Sequence, residues 1–173
     1  MTAMVVYESM YGCTKAIAEA IGEGLASAGA VKVVEVGALA AEASGTSVAP
    51  DVTLLVVGGP THAFSMSRAS TRADALKNAP DGTVISSTGV REWLAEVTLP
   101  ADTPVAAFDT KVLKPNLPGA AGKAIEKELK RKGGRPVVKP HSFKVEGRSD
   151  LVDGQAEAAR AWGAQLAAGL GGS

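Results

Sequence analysis

Six consecutive residues, 9–14, combine two aliphatic hydroxyl side chains, a phenol, a glycine and a thiol between an apolar run and a helical pattern. Residues 4–7 before them are predicted to form a short buried strand, and Ile17, Ile21 and Leu25 after them recur at every fourth position. The first N–H groups of a helix lack acceptors within the helix, and the helix dipole is positive at that end. A strand, a glycine-containing turn and a helix N-terminus therefore predict a site for a phosphate group.

The side chains of this segment have predicted parts in such a site. The hydroxyls of Ser9 and Thr14 would donate to the phosphate, and Gly12 would let the backbone approach it closely. Cys13 lies in the first turn of the predicted helix, where the dipole lowers the pKa of a thiol. Two alternatives stay open: Cys13 is only a small residue that fits a tight turn, and the whole segment is a plain helix cap.

The composition limits the class of protein. A chain of 173 residues can bury a core without disulfides or metals, and we expect one domain over residues 1–173. Eighteen basic and eighteen acidic side chains cancel, so no net field attracts nucleic acid or an anionic membrane. The single cysteine and two separated histidines predict no disulfide and no metal site. We also expect no membrane span and no signal segment, and hence a cytoplasmic protein.

Apolar runs and amphipathic stretches alternate along the chain, which predicts an α/β fold with a doubly wound parallel sheet. The continuous apolar run 53–57 is the predicted central strand. About five helices are expected, including a short one within 38–50 and others over 68–78, 90–96, 123–132 and 153–170. Right-handed crossovers give the strand order 2-1-3-4-5. The five strands are expected over 4–7, 31–36, 53–57, 105–108 and a last strand made of 136–138 and 142–145.

Ligands of such a sheet bind beyond the carboxyl ends of the strands, where the strand order reverses. This rule selects the loops after strands one, three and four. Three of the seven aromatic residues, Tyr11, Phe64 and Phe108, lie at or beside these loops, and a flat conjugated ligand needs such platforms. The loop after the third strand contains Pro60, Thr61, His62, Ala63 and Phe64, and the loop after the fourth contains Phe108, Asp109, Thr110 and Lys111.

Several of these residues have a second interpretation. Phe108, at a strand end, is more simply a core residue. His62 is either a hydrogen-bond partner of a ligand or a solvated loop residue. Arg68 and Arg72 lie one helical turn apart and would meet a phosphate of a second substrate, although a solvated helix face is the simpler interpretation. His141, beside a proline, is expected to be structural or exposed.

The spacing of residues 9–14 resembles the phosphate loop of the flavodoxin family, T/S-x-T-G-x-T. Ser9, Gly12 and Thr14 match this pattern, whereas Tyr11 stands where the family has threonine or serine. The segments 58–61 and 108–110 are similar to the family loops that flank the flavin ring. The resemblance implies a flavodoxin-like three-layer sandwich that binds FMN through Ser9, Met10, Tyr11, Gly12, Cys13, Thr14, Pro60, Thr61, His62, Ala63, Phe64, Phe108, Asp109, Thr110 and Lys111.

The same resemblance implies electron transfer, either as a carrier or as a small flavin oxidoreductase of the quinone or protoporphyrinogen type. Its partner would be a redox protein or a small-molecule acceptor, and no side chain is predicted to be catalytic. Two departures, Tyr11 and the absence of a Tyr or Trp near Leu113, favour the alternative of an interaction or sensing module that has lost tight FMN binding. A third alternative, a receiver domain, shares this topology, but Glu8 stands alone where such a domain has an acidic cluster, which argues against it.

Overall fold

A mostly parallel sheet forms the centre of the protein. The computed structural model describes residues 1–83, 85–113 and 118–171. The sheet has the order β2-β1-β3-β5-β7-β8, so its five main parallel strands confirm the predicted order 2-1-3-4-5. The strands of the described ranges are β1 Thr2–Tyr7, β2 Ala30–Glu35, β3 Leu54–His62, β4 Ser65–Met66, β5 Pro104–Val112, β6 Arg135–Pro136, β7 His141–Glu146 and β8 Asp150–Leu151.

Two strands of two residues each, β4 and β8, add to the five predicted ones. β4 turns back antiparallel on the end of β3, and β8 turns back on β7. β6 pairs with the start of β5 and β7 with its end, so the two together fill the place of the expected fifth strand. The interruption lies before His141 as predicted, because Pro140 has no N–H to donate to a ladder.

Six α-helices, rather than about five, connect the strands. The expectation of a helix within 38–50 is corrected to α2, which begins earlier because the Glu35 carboxylate accepts hydrogen bonds from the N–H groups of Gly37 and Ala38. The helices are α1 Cys13–Leu25, α2 Val36–Ala40, α3 Ala69–Lys77, α4 Val90–Glu96, α5 Ala121–Arg131 and α6 Gln155–Gly171.

Two layers of apolar side chains cover the sheet. On β3, Leu54 and Val56 point into the cluster that packs against α1 and α6, and Leu55 and Val57 point into the cluster beneath α4 and α5. All four are fully buried, as expected for a central strand with helices on both faces. This alternation confirms that residues 54–57 belong to the centre of the sheet, whereas Thr53, which the prediction included, is exposed and precedes β3.

The strand ends set up the site. β1, β3 and β5 are parallel neighbours, so the loops that follow them meet at one edge of the sheet. Unlike the other longer helices, α3 lies at this edge and has few contacts with the other described helices and strands. In the described ranges no helix combines the length and the apolar character needed to cross a bilayer.

Candidate functional site

A cavity of about 430 Å³ opens at the carboxyl edge of the sheet. This volume lies within the range of small-molecule sites in proteins. Its walls come from the β1–α1 loop, the end of β3, the helix α3, the end of β5 and the β7–β8 turn. The lining residues are Met10, Tyr11, Cys13, Thr14, Pro60, Thr61, His62, Ala63, Thr71, Asp74, Ala75, Asn78, Thr110, Val112, Val145, Gly147 and Arg148.

The start of α1 forms one end of this cavity. Gly12 precedes the helix with φ +97°, a conformation that favours glycine, and its N–H donates to Ser9 Oγ at 3.1 Å. The hydroxyl of Ser9 therefore holds the turn closed. No side chain of the described residues caps this helix, and its first turn contains no acidic residue. The N–H groups at the start of α1 are consequently available to an anion in the cavity.

The start of α5 lies at the same edge but is capped by protein side chains. Thr61 Oγ1 accepts a hydrogen bond from the Ala121 N–H at 2.9 Å, and Asp109 Oδ2 accepts one from Gly122 at 2.8 Å. Burial raises the pKa of Asp109, and the hydrogen bond from Gly122 opposes this rise. Since α5 has its own carboxylate, the start of α1 is the better place for a ligand's anionic group.

Threonine side chains join the two sides of the predicted site. Thr14 Oγ1 and Thr110 Oγ1 lie 2.7 Å apart, and both residues are buried. This hydrogen bond ties the first turn of α1 to the end of β5. Both residues also line the cavity, as do seven others of the predicted set: Met10, Tyr11, Cys13, Pro60, Thr61, His62 and Ala63.

Tyr11 points its phenol away from the turn in which it lies. Its hydroxyl donates to the carbonyl of Ala75 at 3.0 Å, in the last turn of α3. The ring therefore forms a wall of the cavity and holds α3 over it. The hydroxyl that the resemblance requires within the phosphate loop is committed to another element.

The remaining predicted residues do not line the cavity. Phe108 is fully buried with its ring against Phe143 and Trp162, which agrees with the core interpretation. Asp109 is also fully buried, beside the start of α5. Lys111 donates from Nζ to the Gly119 carbonyl at 2.9 Å, across residues 114–117, which lie outside the described ranges.

Phe64 lies on the tip of the β3–β4 hairpin, with 53% of its surface exposed. The two hairpin residues have positive φ, 44° at Ala63 and 72° at Phe64, although neither is a glycine. Gly119 packs against this turn, because a Cβ there would overlap the Phe64 carbonyl and lie 2.7 Å from Phe64 Cβ. Phe64 is thus held outward at the edge of the sheet that carries the cavity.

Burial shifts the pKa values of two lining residues, Cys13 and His62. Burial raises the pKa of the Cys13 thiol, and the Asp150 carboxylate adds to the rise, so the predicted lowering is wrong. Burial lowers the pKa of His62 below its usual value. His62 is therefore a neutral lining residue at pH 7 rather than a solvated one. His141 is exposed, as expected, and its ring lies against Phe143.

Sequence reasoning missed two walls of the cavity. Thr71 and Asp74 lie in α3 and Asn78 directly follows it, so the rule that selects the loops after strands one, three and four did not include them. Gly147 and Arg148 come from the β7–β8 turn. The sequence signal that could have indicated this turn is Gly147 followed by Arg148 at the end of the fifth strand. Gly147 has φ +62° in the structure.

A buried charged cluster supports α3 behind the cavity. Glu8 Oε1 accepts from the Ser67 hydroxyl, and Glu8 Oε2 accepts from the Val90 N–H at 2.9 Å. Arg72 Nη1 donates to Ser67 Oγ at 2.8 Å, and Nη2 lies 2.9 Å from Glu92 Oε1. Glu8 and Arg72 are 2% and 4% exposed, so the expectation that Arg72 belongs to a solvated helix face is wrong. The carboxylates of Glu8 and Glu92 draw the guanidinium inward, whereas Arg68 is exposed as expected.

No cluster of three or more histidine, cysteine, aspartate or glutamate residues with metal-binding geometry occurs in the part of the chain that the structure describes. The groups that face the cavity at this edge are instead backbone N–H groups, hydroxyls and apolar side chains. This set of donors suits an organic phosphate with an apolar portion.

The sequence and the fold were compared with known proteins. Residues 5–87 match the family described as flavodoxin. This segment contains the β1–α1 loop, β3 and α3, and therefore three of the five walls of the cavity. No curated protein matches the sequence significantly.

Solved structures resemble the chain over its full length. A flavodoxin from the domain Archaea has 20% identity over 99% of both chains, with a TM-score of 0.65. Flavodoxin 1 from Bacillus cereus has 15% identity over 99% of this chain and 98% of the other, also with 0.65. The Flv1 flavodiiron core from Synechocystis has 19% identity and a TM-score of 0.63, and 36% of that longer chain is covered by 99% of this one.

At sequence identities of 15–20%, the likeness to solved structures shows the fold alone. The family match is a likeness in sequence, and it includes the β1–α1 loop. Residues 5–87 thus match the flavodoxin family in sequence, and the chain has the flavodoxin-like fold from end to end.

Proposed function

We propose that the cavity at the carboxyl edge binds FMN and that the protein transfers electrons through it. The observation that carries this proposal is the start of α1, which has no side-chain cap and opens into a cavity of about 430 Å³. The neighbouring α5 is capped by Thr61 and Asp109, so only one of the two helix starts at this edge is ready for a phosphate. The family match supports the same ligand.

The residues present fit a flavin phosphate. Backbone N–H groups at Cys13 and Thr14 would meet the phosphate, while Gly12 permits the turn that aims them. Pro60, Ala63 and the other apolar lining groups would flank the ring and exclude water from it. When bound, FMN supplies reversible one- and two-electron chemistry, and the protein contributes position and electrostatics.

A neutral His62 suits this environment. Its lowered pKa means that it adds no positive charge beside the ring at pH 7 and still offers one donor and one acceptor. The chain as a whole carries no net charge. A redox partner would therefore be selected by surface shape and apolar contact, such as the exposed Phe64 ring, more than by long-range attraction.

The experiment loads the apoprotein with FMN, removes excess cofactor, reduces the sample anaerobically and then adds ferricyanide as an electron acceptor. We expect protein-bound flavin that is bleached on reduction and regains its absorbance on oxidation. Flavin that binds but does not cycle, or that is released on reduction, would contradict an electron-transfer function.

One observation favours a second candidate, an interaction or sensing module without tight FMN binding. The Tyr11 hydroxyl is bonded to Ala75 and does not serve the phosphate loop. Failure of the apoprotein to take up FMN would select this candidate over the flavoprotein.

Position 11 provides a graded test of the phosphate loop. Tyr11→Thr is expected to strengthen FMN binding by up to about tenfold, because it returns a hydroxyl donor to the loop. Tyr11→Phe is the matched control, since it removes the hydrogen bond to Ala75 without adding that donor. Dissociation constants from flavin fluorescence would check this, and equal affinities for Tyr11→Thr and Tyr11→Phe would count against the described role of the loop.

A further inference from the structure

The cavity has an asymmetric charge on its walls. Among the described lining residues, Arg148 carries the only permanent positive charge and Asp74 is the only carboxylate. Arg148 belongs to the turn between β7 and β8, where Gly147 has φ +62°. This turn is an addition to the five-strand pattern, since β8 pairs antiparallel with β7.

Arg148 reaches from this turn to the opposite wall. Its Nη1 donates to the Asn78 carbonyl, at the end of α3, over 3.2 Å. Tyr11 donates to Ala75, one turn earlier on the same helix. The guanidinium thus lies at the rim of the cavity, between the β7–β8 turn and α3.

The turn also lies beside the start of α1. Arg148 and Gly147 line the same cavity as Cys13 and Thr14, and the carboxylate of Asp150 acts on the Cys13 thiol. An anion at the start of α1 would therefore be repelled by the Asp150 carboxylate. The guanidinium of Arg148, two residues earlier in the chain, offsets this repulsion.

The hydrogen-bonding capacity of Arg148 is mostly unused within the described residues. A guanidinium has five N–H donors in a planar fork, and Arg148 uses one of them on an uncharged carbonyl. Its charge is therefore not paired with a carboxylate there. Bidentate contact with phosphate oxygens is the interaction for which this geometry is suited.

We infer that Arg148 binds the phosphate of the flavin nucleotide and provides the donor that Tyr11 does not. The inference rests on the proposed function and adds a specificity-determining residue to it. The start of α1 supplies neutral N–H groups, and Arg148 supplies a full charge, so the site distinguishes phosphorylated from unphosphorylated flavin.

The test compares the dissociation constants of FMN and riboflavin for the wild-type protein, Arg148→Gln and Arg148→Lys. Loss of one charge-assisted contact should weaken FMN binding about tenfold or more in Arg148→Gln, with riboflavin affinity unchanged. Arg148→Lys should fall between the two, because lysine keeps the charge but not the fork. Added salt should reduce the difference in FMN affinity between the wild type and Arg148→Gln, because it screens the charge of the guanidinium.

Arg135→Gln is the matched control, because Arg135 is exposed and pairs with the start of β5, at the opposite edge of the sheet. It should leave both constants unchanged. If Arg148→Gln bound FMN as tightly as the wild type, or lost the same factor in affinity for FMN and for riboflavin, the inference would be overturned. The proposed function would stand in both cases, because the wild-type protein would still bind FMN. A wild-type protein that binds neither flavin would overturn the proposed function and this inference together.

Discussion

Arg72→Met should destabilise the protein by about 3 to 5 kcal/mol, because it leaves the Glu8 carboxylate buried without its cationic neighbour. The Arg72 guanidinium donates to Ser67, which itself donates to Glu8, and it also pairs with Glu92. The Arg72 side chain is 4% exposed. Urea unfolding would measure the loss. Arg68→Met is the control, since Arg68 is exposed and contributes its backbone N–H to the same helix start. A loss below about 1 kcal/mol, the usual cost at a surface ion pair, would contradict this account.

The cost of Arg72→Met should also depend on pH. Burial raises the pKa of Glu8 above its ordinary value of 4.5, even though Ser67, Val90 and Arg72 lower it. The folded protein therefore holds the Glu8 proton to higher pH than the unfolded chain does. Stability from this group is present at acid pH and falls as the pH rises from about 4.5 through the folded pKa.

Removal of Arg72 extends that window upward, because it takes away a positive neighbour of the carboxylate. The destabilisation should consequently be larger at pH 8 than at pH 5. Glu8→Gln added to Arg72→Met should restore part of the stability and flatten the pH dependence. A penalty that is the same at both pH values would show that Glu8 is not the group left uncompensated.

Gly163→Ala should produce the second large effect, a loss of about 1 to 3 kcal/mol from forced separation of α1 and α6. A Cβ at this position would overlap the Ile21 carbonyl oxygen and lie 3.2 Å from the Cα of Gly24. Glycine is also required on the α1 side of this contact, since a Cβ at Gly24 would overlap the Arg160 carbonyl of α6. Thermal or urea unfolding would measure the change.

Gly169→Ala in the same helix is the matched control. No atom lies within 4 Å of a Cβ built there, so only the intrinsic helix preference for alanine acts. That preference is worth up to about 1 kcal/mol in a helix interior, in the stabilising direction. If both variants gained stability, the close backbone contact between α1 and α6 would be refuted.

The parts of the fold that sequence predicts are those set by local periodicity. The apolar run 53–57 identified the central strand, and the spacing of Ile17, Ile21 and Leu25 identified the buried face of α1. Topology then placed the loops after β1, β3 and β5 at one edge, and Tyr11, Pro60 and Thr110 do line one cavity there. These predictions depend on rules that act over a few residues or on the order of strands.

The parts that sequence did not predict depend on partners distant in the chain. Arg72 is buried because Glu8, directly after β1, and Glu92, in α4, lie beside it, and nothing near Arg72 in the sequence indicates either contact. Phe108 ends a strand beside a predicted loop, but its ring packs against Trp162 of the last helix. Arg148 reaches the cavity only because β8 folds back on β7.

The measurement that tests the central claim most directly is a fluorescence titration of FMN with the apoprotein and with Val112→Glu. Val112 lines the cavity at the end of β5, so a longer and negatively charged side chain there would occupy space assigned to the flavin and oppose an anionic ligand. Val138→Glu, at an exposed position outside the lining, is the control. We expect saturable quenching with one FMN per chain in the wild type and in Val138→Glu, and its loss in Val112→Glu. Unchanged FMN fluorescence with the wild type, or identical titrations for all three proteins, would contradict the placement of a flavin in this cavity.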